Sequence, residues 1–353
     1  MKFDKINQYT DQYVAKTFDA VSLGVRAGLV CMFLALYNIY YNHDFPISLA
    51  LIGTLVVGIN ESVVIKYNNK VRLGFTFIML ISTSWAIFYS SYISEYSVIY
   101  IASIIISMFL IAFTSRQEPP YSILFFLIGD FVVIGNGLPS HSALESFELM
   151  KAYFYGGAAL FITSCVHDLI FQLKNTTIEL SKPKFNNIIN INQDNVKFGV
   201  VLSVAVLVSF YVAKYFKLPQ GYWLPMTTLI VLKSEYIALR NFVKKRLIGT
   251  IVGGLISFPL VYFVQSPTIY ALLLFPVALL TMIGIIKNYT TYVTFLTLLV
   301  TILLNFHHHV GALIIRERIF DTLIGIGVVI VVIEIILPLL KIKHAGIATD
   351  EFK

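Results

Sequence analysis

The amino-acid sequence predicts an all-α membrane protein of about twelve transmembrane helices, arranged as two parallel six-helix repeats. Three observations predict it: an apolar composition, apolar runs of membrane-crossing length between Val21 and Leu340, and a stretch of sequence that occurs twice. The 353 residues are 58% hydrophobic and 13% charged, with a mean hydropathy of +0.80. Soluble domains carry about a quarter charged residues, so this chain needs lipid as its solvent. The runs have the roughly 17–25 residues that a helix needs to cross about 30 Å of hydrocarbon. They show no alternation of polar and apolar residues, and a span in lipid must pair every backbone amide internally; helices are therefore expected rather than a barrel.

The expected spans are 21–41, 47–65, 73–91, 97–114, 122–137, 152–173, 198–213, 222–239, 247–264, 269–286, 290–305 and 319–340. The apolar run after the polar first twenty residues is longer than a signal-peptide core and lacks a small-residue cleavage site, so it reads as the first helix. With the N-terminus inside, nineteen Lys and Arg collect on the cytoplasmic side against five outside: Lys151, Lys214, Lys217, Arg316 and Arg318. That asymmetry predicts both termini in the cytoplasm and accounts for the net charge of +7 without nucleic acid. Tyr37, Tyr40, Tyr41, Tyr92, Tyr96, Tyr211, Tyr215 and Tyr222 cluster where outer helix ends should meet the headgroups. Cys31 and Cys165 lie inside apolar runs, which suits packing rather than a disulfide framework.

The repeat divides the chain. VRAG at Val25–Gly28 recurs as VKFG at Val196–Gly199. A shift of 174 positions superposes Thr54, Leu55, Val57, Glu61, Lys70, Arg72 and Leu73 on Thr228, Leu229, Val231, Glu235, Lys244, Arg246 and Leu247. Seven identities in twenty residues, charges included, exceed what shared hydrophobicity explains. The expected domains are a first six-helix repeat over 1–173, a hydrophilic cytoplasmic linker over 174–196, a second repeat over 197–340 and a cytoplasmic tail over 341–353. Six spans per repeat orient both copies alike, related by an axis along the membrane normal.

No phosphate-binding glycine loop, HExxH motif or nucleophile–base pair stands in the sequence, so it does not read as an enzyme, and no cofactor is expected. Ionisable groups at membrane depth are costly and mark sites by default. They are Arg26, Glu61, Asp130, Asp168, Lys233, Glu235, Asp321 and Glu334. The richest segment runs from Tyr222 to Arg240, where Tyr222, Met226, Leu229, Lys233, Tyr236 and Arg240 share one stripe of a continuous helix. Aromatic surface beside cations suits an amphipathic carboxylate: Lys233 supplies charge, Arg240 a bidentate clamp and Tyr236 a stacking face. A snorkelling or ion-paired Lys233 and a boundary Arg240 are the bland alternatives. Arg26, Tyr222 and Thr228 complete the expected substrate contacts. Pro225 is expected to kink or interrupt the same span and expose backbone groups to a substrate, with an ordinary packed kink as the bland alternative. Glu235, Asp130, Asp168 and Glu61 are the expected proton carriers, with Asp168 and His167 a potential relay, Asp130 facing a cavity or Arg26, and Glu61 equally able to brace a basic turn. The run His307-His308-His309 lacks metal-ligand spacing, so no metal is expected.

The segment Tyr222–Gly254 resembles the fusaric acid resistance (FUSC) family, related to the aromatic acid exporters. The resemblance is carried by Tyr222, Trp223, Pro225, Thr227, Thr228, Arg246, Leu247, Gly249, Thr250, Gly253 and Gly254, with Asp321–Gly325 similar to the family's last helix. It implies proton-driven export of organic acids across a bacterial inner membrane. The large soluble domains usual in that family have no counterpart in the 174–196 linker. The function expected is a proton-coupled exporter of aromatic or metal-chelating carboxylates. Alternatives are an importer of a polycarboxylate siderophore-type chelate, a passive anion channel, or a membrane scaffold that transports nothing. Expected partners are the anion, protons and the bilayer, with room for a homo-oligomer or accessory export proteins.

Overall fold

The computed structural model of the chain describes residues 2–41, 45–64, 67–93, 98–138, 140, 142–171, 189–232, 236–305 and 311–336. These form twelve α-helices: α1 (Lys2–Tyr40), α2 (Ile47–Val64), α3 (Asn69–Tyr92), α4 (Val98–Thr114), α5 (Pro119–Ile134), α6 (Ala143–Phe171), α7 (Gln193–Tyr215), α8 (Trp223–Val231), α9 (Tyr236–Phe263), α10 (Pro267–Lys287), α11 (Tyr289–Asn305) and α12 (Gly311–Val331). A 3-10 turn continues α5 over Gly135–Gly137, and a π turn continues α12 over Val332–Ile336. Each expected span overlaps one helix except 222–239, which overlaps α8 and the start of α9.

Among the described residues, seven helices are long and apolar enough to cross a membrane: α1 from Asp19 onward, α2, α3, α6, α7, α9 and α10. Three more, α4, α5 and α11, are apolar but only 16 or 17 residues long. The α9 surface fits a lipid solvent. Leu255, Phe258 and Tyr262, at helical spacing on one face, are all more than half exposed.

Two expectations about the second half need correction. The continuous helix over 222–239 does not exist: α8 has nine residues, about 13 Å of rise, and ends where Leu232 turns extended at φ −70° and ψ 114°. The stripe from Tyr222 to Arg240 therefore spans two helices. Nor is Pro225 the point of interruption. It occupies the third position of α8, in the first turn, where a backbone N–H has no intrahelical acceptor to lose.

The chain forms two compact units, each built from both sequence halves. The first holds Met1–Ile81, Lys151–Pro183 and Ile251–Ile315; the second holds Ser82–Met150, Lys184–Thr250 and Arg316–Lys353. In the first, α1 packs on α10 and α2, and α10 on α11. In the second, α7 packs on α4 and α8, and α4 on α5. Adding six to each helix number, and wrapping past twelve, turns the first set of partners into the second.

Glycine makes the closest of these approaches possible. A side chain at Gly28 of α1 would meet the Phe275 carbonyl oxygen of α10 at 2.6 Å, and one at Gly199 of α7 would meet the Phe109 ring of α4 at 2.6 Å. These glycines end the VRAG and VKFG motifs. Buried hydroxyls then tie helices together. Thr54 donates to the carbonyls of Ala50 and Gly156, fixing α2 to α6; Thr228 donates to Leu224 O and shares a hydrogen bond with Ser209, fixing α8 to α7.

Candidate functional site

Each unit buries a cluster of charged side chains. In the first unit, Asp19, Ser22 and Arg26 lie three and four residues apart on α1, hence on one face. Arg26 Nη1 donates to Ser164 of α6 at 2.6 Å and lies 3.7 Å from the carboxylate of Glu61 on α2. Glu61 is only 2% exposed. Arg72, in the first turn of α3, hydrogen-bonds and pairs with Asp168 of α6. His167 stands beside them, its Nδ1 at 3.6 Å from Asp168 and its Nε2 at 3.0 Å from the Ser22 hydroxyl. The exposed carboxylate of Asp19 lies within electrostatic reach of Arg72, His167 and Arg26. The cluster is close to neutral by pairing, yet Glu61 Oε1 and Arg72 Nε have no hydrogen-bond partner among the described residues.

In the second unit, the guanidinium of Arg318 on α12 lies over the Trp223 ring at the start of α8, 3.5 Å from its centroid. Both residues are buried. The Trp223 indole donates to Gln220 Oε1 at 2.7 Å, which sets the ring plane, and the Tyr222 ring stands 5.0 Å away. Asp321, one turn beyond Arg318 on α12, and Arg246 of α9 both act electrostatically on Arg318. Arg246 also acts on Asp130, deep in α5. Asp130 Oδ1, Asp321 Oδ2 and Arg246 Nε are buried and have no hydrogen-bond partner among the described residues. An unmet buried polar atom costs about 1–3 kcal/mol, so three of them in one cluster mark a place that can receive a polar guest or a proton.

Several expected site residues are thus located. Arg26 and Glu61 face each other, the cation acting on Asp130 is Arg246, and Asp168 pairs with Arg72 while touching His167. Tyr222 joins the Trp223–Arg318 cluster. Thr228 is fully buried and its hydroxyl is committed to holding α8. Glu334, read as a buried acid, is exposed on the π turn. Lys233 and Glu235 lie outside the described residues, as do the side chains of Tyr236 and Arg240 on α9 and the run His307–His309.

Arg72, Arg246 and Arg318 were not among the expected site residues. Counting charges assigned them to helix boundaries and loops, because α9 begins eleven residues and α12 eight residues before their expected spans. One sequence signal could have found Arg318. Arg318 and Asp321 stand at i and i+3 with the apolar Ile319 and Phe320 between them, the spacing of a charge pair that travels into a bundle together.

Helices this apolar, with charged clusters inside them, define a multi-pass helical membrane protein. Residues 201–332, which hold Trp223, Arg246, Arg318 and Asp321, match the family described as Fusaric acid resistance protein-like, over less than half of the chain. Among individual relatives, the chain is 30% identical over 142 residues to the Inner membrane protein YccS of Escherichia coli, covering 40% of this chain and 20% of that protein. It is 26% identical over 162 residues to an uncharacterized protein of Haemophilus influenzae, covering 44% of this chain and 22% of that one. The matched segments span about a fifth of both relatives' lengths. No solved structure matches the chain.

Proposed function

We propose that this chain is a secondary transporter of organic anions in a bacterial inner membrane, working outward and coupled to protons. The observation that carries the reading is the buried Arg318 guanidinium on Trp223, with Arg246 beside it, inside the family-matched segment. A guanidinium stacked on an indole keeps its edge free to take a carboxylate through two parallel hydrogen bonds, and the low-dielectric surroundings strengthen both contacts. Tyr222 adds a ring face for an aromatic or chelating substrate. Lys233, Tyr236 and Arg240 follow on the cytoplasmic side of the pathway in this reading.

Proton coupling falls to carboxylates that stand beside arginines: Glu61 with Arg26, Asp168 with Arg72, Asp130 with Arg246, and Glu235 at the position that repeats Glu61. A carboxylate that takes a proton releases its arginine, and one that loses a proton reclaims it. The anion therefore meets a guanidinium that is alternately offered and withdrawn. Twelve spans in two parallel repeats, with both termini inside, are part of the proposal; the like helix partners in the two units support the repeat.

The test is flux in proteoliposomes. An imposed pH gradient should drive accumulation of labelled benzoate or a related carboxylate, and Arg318→Gln should abolish it. Flux indifferent to the gradient removes the coupling; wild-type flux in Arg318→Gln removes the site.

A further inference from the structure

Beyond Tyr215 the chain leaves α7 through a tight turn at Lys217, whose φ of 48° is unusual for a residue with a side chain. It then runs through Leu218, Pro219 and Gly221 into Tyr222 and α8. Under this turn lies a cavity of about 290 Å³. Lys214 and Lys217 form its cationic wall, and Phe210 and Tyr222 supply aromatic surface. Gly137 forms part of the wall, and a side chain there would collide with the Tyr222 ring, 2.5 Å from its Cγ.

Two features place this cavity on the path to the buried arginine. First, α7 has 23 residues, about 34 Å of helix, so its end reaches the headgroup region, where the exposed Tyr211 and Tyr215 rings belong. The cavity is therefore reached from water. Second, Tyr222 belongs to both places: it lines the cavity, and its ring stands 5.0 Å from Trp223, which carries Arg318.

We infer that this cavity is an anion site at the outer mouth of the path, where the exported anion is held before release: Lys214 and Lys217 hold its charged group, and Phe210 and Tyr222 flank a single ring. The inference rests on the transport reading for its purpose, and it narrows the substrate class. A volume of about 290 Å³ is at the small end of ligand pockets, which suits a one-ring carboxylate and not a caged metal chelate. Lysines suit the role because a flexible ammonium captures an anion without fixing its orientation, whereas the stacked Arg318 fixes it.

The chain has two tryptophans, so Trp85→Phe leaves Trp223 as the sole indole reporter. In phosphatidylcholine nanodiscs, benzoate should change Trp223 emission saturably. Binding should weaken at least tenfold in Lys214→Gln/Lys217→Gln and in Gly137→Leu, and survive in Lys214→Arg/Lys217→Arg, whose retained binding also shows that the turn folds. No saturable change with the wild-type lysines, or equal binding in the double Gln variant, overturns the proposal. A response to added phosphatidylglycerol with none to benzoate overturns it as well, assigning the lysines to lipid headgroups. Intact benzoate binding without gradient-driven flux would sink the transport reading and leave the binding site standing.

Discussion

The Arg26–Glu61 contact illustrates how buried charge is handled at the scale of single residues. Taking either ion out of water costs several kcal/mol, and their attraction offsets this only while both are present. Removing one partner is therefore worse than removing both. Glu61→Ala should lower stability by about 3–5 kcal/mol, measured by chemical unfolding in detergent, while Arg26→Met/Glu61→Leu should recover most of that loss. A double variant whose loss equals the sum of the two single losses would mean that the pair contributes nothing as a pair. That Glu61, Asp130 and Asp168 are buried was legible in the sequence, since an acid among apolar residues has few other places to go. Which cation each acid meets was not legible: Arg72 reaches Asp168 across 96 positions of chain.

At the scale of elements, glycine placement decides how closely helices approach. Gly28 and Gly199 occupy matching motifs, and each lets a phenylalanine from a helix of the other sequence half close against it. Gly74 on α3 has nothing within 4 Å of where its Cβ would stand. Gly28→Leu and Gly199→Leu should each lower the unfolding temperature in detergent by several degrees, about what a 1–3 kcal/mol overpacking cost produces, while Gly74→Leu leaves it unchanged. Equal shifts at all three positions would refute the packing roles. The helices themselves were readable from hydropathy, often to within a few residues, as for α2, α4 and α11. The break at Leu232 was not, because an apolar run looks the same whether its backbone continues or turns.

For the whole molecule, the composite units carry a strong consequence. Each unit takes helices from both sides of the stretch that joins α6 to α7. Neither half then holds all the partners its own helices pack against: α1 needs α10, and α7 needs α4. Cutting the chain within the linker should leave two fragments that copurify when expressed together, and each fragment expressed alone should aggregate or be degraded. Fragments that fold and purify separately would rule out the composite packing. Tags on the two termini, labelled from one side of the bilayer, test the orientation expected from the distribution of lysine and arginine.

By itself, the sequence determined that the chain is helical, that it dissolves in lipid, roughly where most of its helices run, and that Glu61, Asp130 and Asp168 are buried in them. Those properties depend on the local cost of exposing backbone and charge to hydrocarbon, and that cost is written residue by residue. Tertiary structure alone decided which helices keep company and which charges meet: Arg318 with Trp223, Arg72 with Asp168, Arg26 with Glu61. Contacts of that kind depend on helix rotation and on packing between segments far apart in the chain, and no window of neighbouring residues carries that information.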